Sequence, residues 1–282
     1  MIELVSEALQ FTFMRNALLT GLLVSITCGV IGTLVVVKRI VFVSGGIAHA
    51  AYGGIGLGYF LGLDPVLGAI IFSLAVALGM GAVQRRTGER ADTLIGVMWA
   101  IGMATGIILV DLSPGYKADL LSYLFGSILA VPSGDLLIMV GLDVVIVGAV
   151  ILFYKELLAI SFDEAFATVE NVPVNAIYMG LMGLVALTVV MLMRVVGLIL
   201  VIAMLTIPAA ISGRFVRNIK SMMALSSILG MLLMTAGLWL SYFLNLTSGA
   251  TIILLAGTAY LVSLAVRWLI DRSRATGQWV ER

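Results

Sequence analysis

Histidine and cysteine are nearly missing from this chain: His49 and Cys28 are the only ones among 282 residues. A lone cysteine cannot close an intramolecular disulfide. A lone imidazole cannot hold zinc by itself, and no His-Glu-x-x-His, Gly-x-Gly-Asp or base-activated serine pattern is present, so an intramembrane protease is excluded. The phosphate loop Gly-x-x-x-x-Gly-Lys-Ser/Thr is missing as well, which excludes ATP hydrolysis by the usual phosphate cradle. Charge is scarce. Charged residues make up 11% of the chain, against about 25% in soluble domains. A net charge of +1 with no basic cluster excludes nucleic acid as a partner. Glu3 and Glu7 stand where a secretory signal carries basic residues, so the N-terminus is not read as a signal peptide.

Hydrophobic residues instead fill 62% of the sequence, in runs long enough to cross a hydrocarbon core of about 30 Å. Spans are expected near 16–37, 40–61, 65–84, 92–111, 135–154, 174–193, 196–212, 221–243 and 249–267. The expected fold class is all-α, a polytopic membrane bundle of eight or nine helices. No polar stretch is long enough for a second domain, so residues 1–282 read as a single transmembrane domain. Lys and Arg set its orientation. With Lys38-Arg39 in the cytoplasm, alternate joints and the C-terminus hold 13 of the 16 basic residues, leaving Arg15, Lys117 and Arg194 outside. The C-terminus is therefore expected in the cytoplasm and, for an odd count, the N-terminus outside. Met1–Met14 is too short to span and is expected along the interface. Leu120–Val131 is also too short, and reads as a re-entrant or external helix.

Ile40–Leu61 holds no titratable group except His49, Tyr52 and Tyr59. At 1.5 Å per residue, His49 lies about 14 Å from the Lys38-Arg39 edge, close to the midplane. An ionisable group at that depth is a functional-site candidate, or a histidine bonded to a neighbouring helix as packing glue. Gly54, Gly58 and Gly62 form one small-residue row, and Gly45, His49 and Gly53 another. Glycines on both sides of His49 suit either a loosened helix at a transport site or a tightly packed central helix.

The longest cytoplasmic joint runs from Lys155 to Pro173. Ser161 as N-cap, Asp163 in the first turn and Glu164 three residues on predict a short helix over Ser161–Glu170. Asn171 before Pro173 suits a left-handed stop. Phe162 and Phe166 then fall on one face at i, i+4. An acidic helix with an aromatic stripe beside a membrane is a docking element for a partner, unless its aromatics rest on lipid or on the bundle.

Ile160-Ser161-Phe162-Asp163-Glu164-Ala165-Phe166-Ala167 resembles the cytoplasmic coupling loop of the permease subunits of metal-ion ABC importers. Val196–Leu200 with Ile207-Pro208-Ala209-Ala210, Gly237–Tyr242 followed by Ser248–Ile252, and Asp92-Thr93 with Ile95-Gly96 are similar to other segments of that family, in the same order. The resemblance covers nearly the whole chain. It implies a type II ABC importer-like permease for zinc, manganese or iron, the divalent metal being transported substrate with no cofactor bound by this chain. It also implies three protein partners: an ABC ATPase subunit, an extracytoplasmic metal-binding protein, and a second permease copy forming a homodimer within the lipid membrane. Ser161, Phe162, Asp163, Glu164, Phe166 and Ala167 would couple to the ATPase.

Around His49 the match is incomplete. Ala48-His49-Ala50 is retained, but Gly45 stands where the family has an acidic residue four positions before its histidine, and Tyr52-Gly53-Gly54 replaces Leu-Pro-Gly. Without that carboxylate a preformed metal site is in doubt, although His49 remains the leading pathway and metal residue, with Tyr52 beside it. Asp143, inside the fifth span, is a further candidate. It either replaces the missing carboxylate, with Arg194 as a possible pair, or bonds structurally to a neighbouring helix. The 15 Met residues and Cys28 suit a softer ion, but Met is ordinarily core filler. The alternative function is a stand-alone channel or ion-coupled carrier for a small cation, which calls for a filter sequence or several membrane charges.

Overall fold

A computed structural model describes residues 7–88, 90–114, 126 and 128–277, apart from the side chains of 194, 195 and 273–277. Nine helices among the described residues are long and apolar enough to cross a membrane. In chain order the helices are α1 Thr12–Val37, α2 Val41–Leu61, α3 Pro65–Thr87, α4 Ala91–Leu112, α5 Ser133–Leu152, the short α6 Tyr154–Phe162 and α7 Glu164–Val169, then α8 Val174–Val196, α9 Leu198–Phe215, α10 Ile219–Leu244 and α11 Ser248–Gly277. All nine expected spans are present. The bundle is all-α, with no strand among the described residues.

Local chemistry stops and starts the helices where the joints need to be short. Between α2 and α3, Gly62 takes φ +66°, and Leu63 N–H closes back on the Gly58 carbonyl at 2.9 Å. Asp64 then caps α3 by accepting from Val66 N (2.7 Å) and Leu67 N (3.2 Å), with Pro65 at the first helical position. That pairing satisfies orphan N–H groups and uses a residue whose missing N–H costs nothing there. Between α10 and α11, Asn245 takes the left-handed turn at φ +57°, a conformation Asn tolerates better than most residues. α11 runs past its apolar stretch on an exposed Arg267–Asp271 pair at i, i+4, 3.2 Å apart.

Two packing centres form, with α8 between them. α2 is clasped by α4 and α3, while α1 is clasped by α10 and α9 with α5 alongside, and α8 touches both groups. α1 and α2 barely touch although they are adjacent in sequence. Glycine makes the first centre possible. A Cβ on Gly56 would run into the backbone of Gly106 on α4, and one on Gly106 into the Tyr52 carbonyl. Gly54 and Gly58 of the expected row do meet α3, at Gly68 and Pro65, whereas Gly62 is the turn residue with nothing near it. Replacing Gly106 with valine should therefore lower thermal stability in detergent by about 2–3 kcal/mol, the scale of forced overpacking. An unchanged melting temperature would show that α2 and α4 can separate freely. In the second centre, buried hydroxyls link three helices: Ser226 of α10 pairs with Ser212 of α9 at 2.6 Å and with Thr33 of α1 at 3.3 Å.

Two sequence expectations fall on the chain's irregular parts. Within 1–14, residues 12–14 already belong to α1; Ala8 and Met14 are fully buried, whereas Leu9, Phe11 and Phe13 are exposed, and residues 1–6 lie outside the described residues. Most of 120–131 lies outside the described residues. Its described end is a 3₁₀ turn, Ile128–Ala130, followed by Val131, whose carbonyl accepts from Asn16 Nδ2 at 2.9 Å.

Candidate functional site

The basic helix ends converge on the α6–α7 joint. Glu164, the first residue of α7, accepts from Lys38 Nζ through Oε1 and from Arg85 Nη1 through Oε2 at 2.7 Å. Lys38 closes α1 and also donates to the Ile160 carbonyl of α6. Arg85 is in the last turn of α3, with its guanidinium 4.3 Å over the Tyr178 ring of α8. One carboxylate therefore ties the joint to α1 and α3. Partial burial pushes the Glu164 carboxyl up, but the two hydrogen bonds and two positive charges together outweigh it and hold its pKa below the ordinary carboxylate value. Lys220, at the start of α10, sits 5.1 Å over the Tyr154 ring of α6. The basic joints thus share one end of the bundle.

This geometry corrects the expected single helix over Ser161–Glu170. The chain breaks at Asp163, which has φ −150° and ψ 110°. Asp163 is the N-cap: its Oδ1 accepts from Ala165 N (2.8 Å) and Phe166 N (3.0 Å), and a carboxylate at a helix N-terminus gains from the dipole as well. Ser161 cannot compete, because its hydroxyl donates to the Leu157 carbonyl of its own helix at 2.6 Å. Phe162 and Phe166 therefore lie on two helices, not one, yet both point outward, 70% and 59% exposed. Ala167 is fully buried, and Glu164 turns inward to its clamp, so neither belongs to the outer face. The expected stop is present: Asn171 has φ +59°, and Val172 N–H returns to the Ala167 carbonyl at 3.0 Å.

The second candidate region lies midway along α2. His49 is half-buried, not sealed inside the bundle. Its Nδ1 is 2.9 Å from the Gly45 carbonyl. A carbonyl can only accept, so Nδ1 carries a proton, and in the neutral ring Nε2 keeps a lone pair. The imidazole stacks on Trp99 of α4, ring centroids 3.6 Å apart at 23°, and Trp99 Nε1 donates to Met103 Sδ at 3.2 Å. Trp99 is missing from the sequence reading, although it is the only aromatic residue in α4. Neighbouring Val97, Ile101 and Ile108 are exposed, so the pair borders an uncovered apolar face. Tyr52, one turn away, is buried in the α2–α4 packing instead.

Asp143 does not join His49. It is 6% exposed on α5, where Thr27 Oγ1 of α1 donates to its Oδ1, and α5 packs mainly on α1 and α8. The proposed Asp143–Arg194 pair falls on a side chain outside the described residues. Asp143→Asn keeps an acceptor for Thr27 and removes a buried carboxylate, so uptake should stay within about twofold of wild type; a tenfold loss with normal expression would return Asp143 to the pathway. Among the described residues, no group of three or more His, Cys, Asp or Glu is placed to hold a metal.

Comparison with known proteins agrees with this architecture. The chain is 59% identical over 267 residues to an uncharacterized membrane protein of Synechocystis sp., with 95% of each chain covered. It is 34% identical to the manganese transport system membrane protein MntC of Listeria monocytogenes, covering 90% of this chain and 91% of that one. Its fold overlays a chain of the PsaBC structure from Streptococcus pneumoniae, solved in complex with Fab, at a TM-score of 0.83 and 36% identity, covering 93% and 95% of the two chains. The family model described as the ABC 3 transport family matches residues 10–267, the α6–α7 joint included, and the chain belongs to that family.

Proposed function

We propose that this chain is the single-domain permease subunit of an ATP-driven importer carrying a divalent metal ion across the cytoplasmic membrane. The observation that carries the reading is the clamped joint, where exposed Phe162 and Phe166 are joined through Glu164 to the ends of α1 and α3. Asp163, Phe162 and Phe166 form the face that a separate ATPase subunit grips, and Glu164 hands its motion to the spans. The concentration of Lys and Arg at this end supports a cytoplasmic joint and C-terminus. An extracytoplasmic metal-binding protein delivers cargo at the opposite end.

A second copy covers the apolar face beside Trp99 and His49, and the ion passes between the copies. The free Nε2 of His49 offers a borderline nitrogen ligand suited to zinc, manganese or iron in transit. One imidazole without a carboxylate binds weakly, which suits an ion that must leave again. The name of the Listeria relative makes manganese the first ion to test.

Phe166→Asp places a charge on the gripping face without touching the Glu164 clamp. Co-purification from membranes should lose the ATPase subunit, at least about tenfold, as loss of an aromatic anchor at an interface implies. Undiminished capture would place the ATPase contact elsewhere.

A further inference from the structure

At the same end of the bundle, but away from the Glu164 clamp, a groove of about 660 Å³ opens between α1, α5, α6 and α10. Its deeper wall is apolar: Val30 from α1, Val147 and Val150 from α5, and Met223 from α10. Ile151 and Leu152, on its flank, are more than two-thirds exposed. Val147 and Val150 precede the end of the apolar span α5 at Leu152, which places this wall on the membrane side of the polar rim. The rim changes character abruptly, to Tyr154, Lys155, Glu156 and Lys220. Among the described residues neither Lys155 nor Lys220 forms an ion pair, and Lys220 overlies the Tyr154 ring. The first turn of the 26-residue helix α10 also ends here, with its positive dipole end beside Lys220.

We propose that this groove is a binding site for an anionic phospholipid of the surrounding leaflet. One acyl chain lies along Val30, Val147 and Val150, and the headgroup phosphate sits between Lys155 and Lys220. Two lysines against one glutamate leave the rim net positive, which favours a phosphatidylglycerol-type headgroup and disfavours one carrying its own cation. Tyr154 occupies the depth at which amphipathic aromatic rings settle. Because Tyr154 and Lys155 begin α6, which leads to the clamped joint, a bound lipid would brace the outer side of that joint. The site requires neither metal transport nor His49.

The test is native mass spectrometry of the purified full-length protein titrated with phosphatidylglycerol or phosphatidylcholine. Wild type should bind phosphatidylglycerol at least about tenfold more tightly, the scale set by two surface lysines. The double variant Lys155→Gln/Lys220→Gln should bring the two lipids within about twofold, whereas Arg90→Gln, an exposed basic change elsewhere, should leave the preference intact. Inorganic phosphate at millimolar concentration should not displace the lipid. Equal binding of the two lipids by wild type, or a preference unchanged in the double variant, overturns the proposal. So does displacement by phosphate alone, which would indicate a small-anion site. A double variant that shifts the monomer–dimer ratio while keeping its lipid preference would assign the groove to a second copy and likewise overturn it.

Discussion

Replacing Glu164 with alanine is expected to cut ATP-driven metal uptake about fivefold while the ATPase subunit still co-purifies and still hydrolyses ATP. The exposed Phe162 and Phe166, the proposed docking face, are untouched by this change, so docking is expected to survive. What is lost is the tie from α7 to Lys38 on α1 and to Arg85 on α3. The Glu164 side chain is 37% exposed, so solvent screening reduces the clamp to on the order of 1 kcal/mol. Because about 1.4 kcal/mol is a factor of ten in an equilibrium, a loss of about 1 kcal/mol is read as about fivefold. Lys38→Ala added to Glu164→Ala should cost less than the sum of the two, since both remove one contact. Uptake unchanged in Glu164→Ala would remove the clamp from the transmission path.

The pH dependence has a definite sign. The folded-state pKa of Glu164 is depressed, so its contribution is complete above the unfolded value of about 4.3 and is lost as pH falls through the depressed value. Uptake should therefore show no Glu164-linked change across neutral pH. A Glu164-dependent step near neutrality, absent in Glu164→Gln, would contradict this electrostatic account.

The second large effect is expected at His49. Its ring is held from two directions, by the Gly45 carbonyl and by Trp99, and Nε2 is the atom proposed to meet the ion. His49→Ala removes that atom and should lower uptake at least about tenfold in an intact complex, the scale on which metal coordination changes act. Trp99→Phe preserves a stacking surface and should be milder than Trp99→Ala, which leaves the imidazole unsupported. Transport unchanged in His49→Ala would make the histidine packing glue, with the stack on Trp99 as its only role.

Most of the fold was legible because its signals are cumulative. Long apolar runs mark every span, and alternating Lys and Arg single out the end at which Lys38, Arg85 and Lys220 indeed gather near α6 and α7. The joint was legible in composition but not in register. Ser161 and Asp163 are both good N-caps, and the winner depends on Ser161 having its own Leu157 carbonyl to bond, a tertiary-independent detail that simple spacing rules miss. Glu164 reads as a capping and docking residue, because nothing local reveals that Lys38 and Arg85, 126 and 79 residues away in sequence, will reach it. Trp99 escaped for the same reason: its importance lies in a contact with His49 across two helices. Asp143 was legible as an anomaly, but its partner Thr27 on α1 carries no signal in the sequence.

The most direct measurement is manganese uptake into liposomes holding the purified chain, with the metal-binding protein supplied at the opposite face and with and without the proposed ATPase partner. Uptake is expected only when the partner and ATP are both inside reach of the α6–α7 face, and expected to vanish when either is left out. Sustained manganese entry by the chain alone, driven by an ion gradient or by none, would contradict the account and make the protein a self-sufficient carrier or channel.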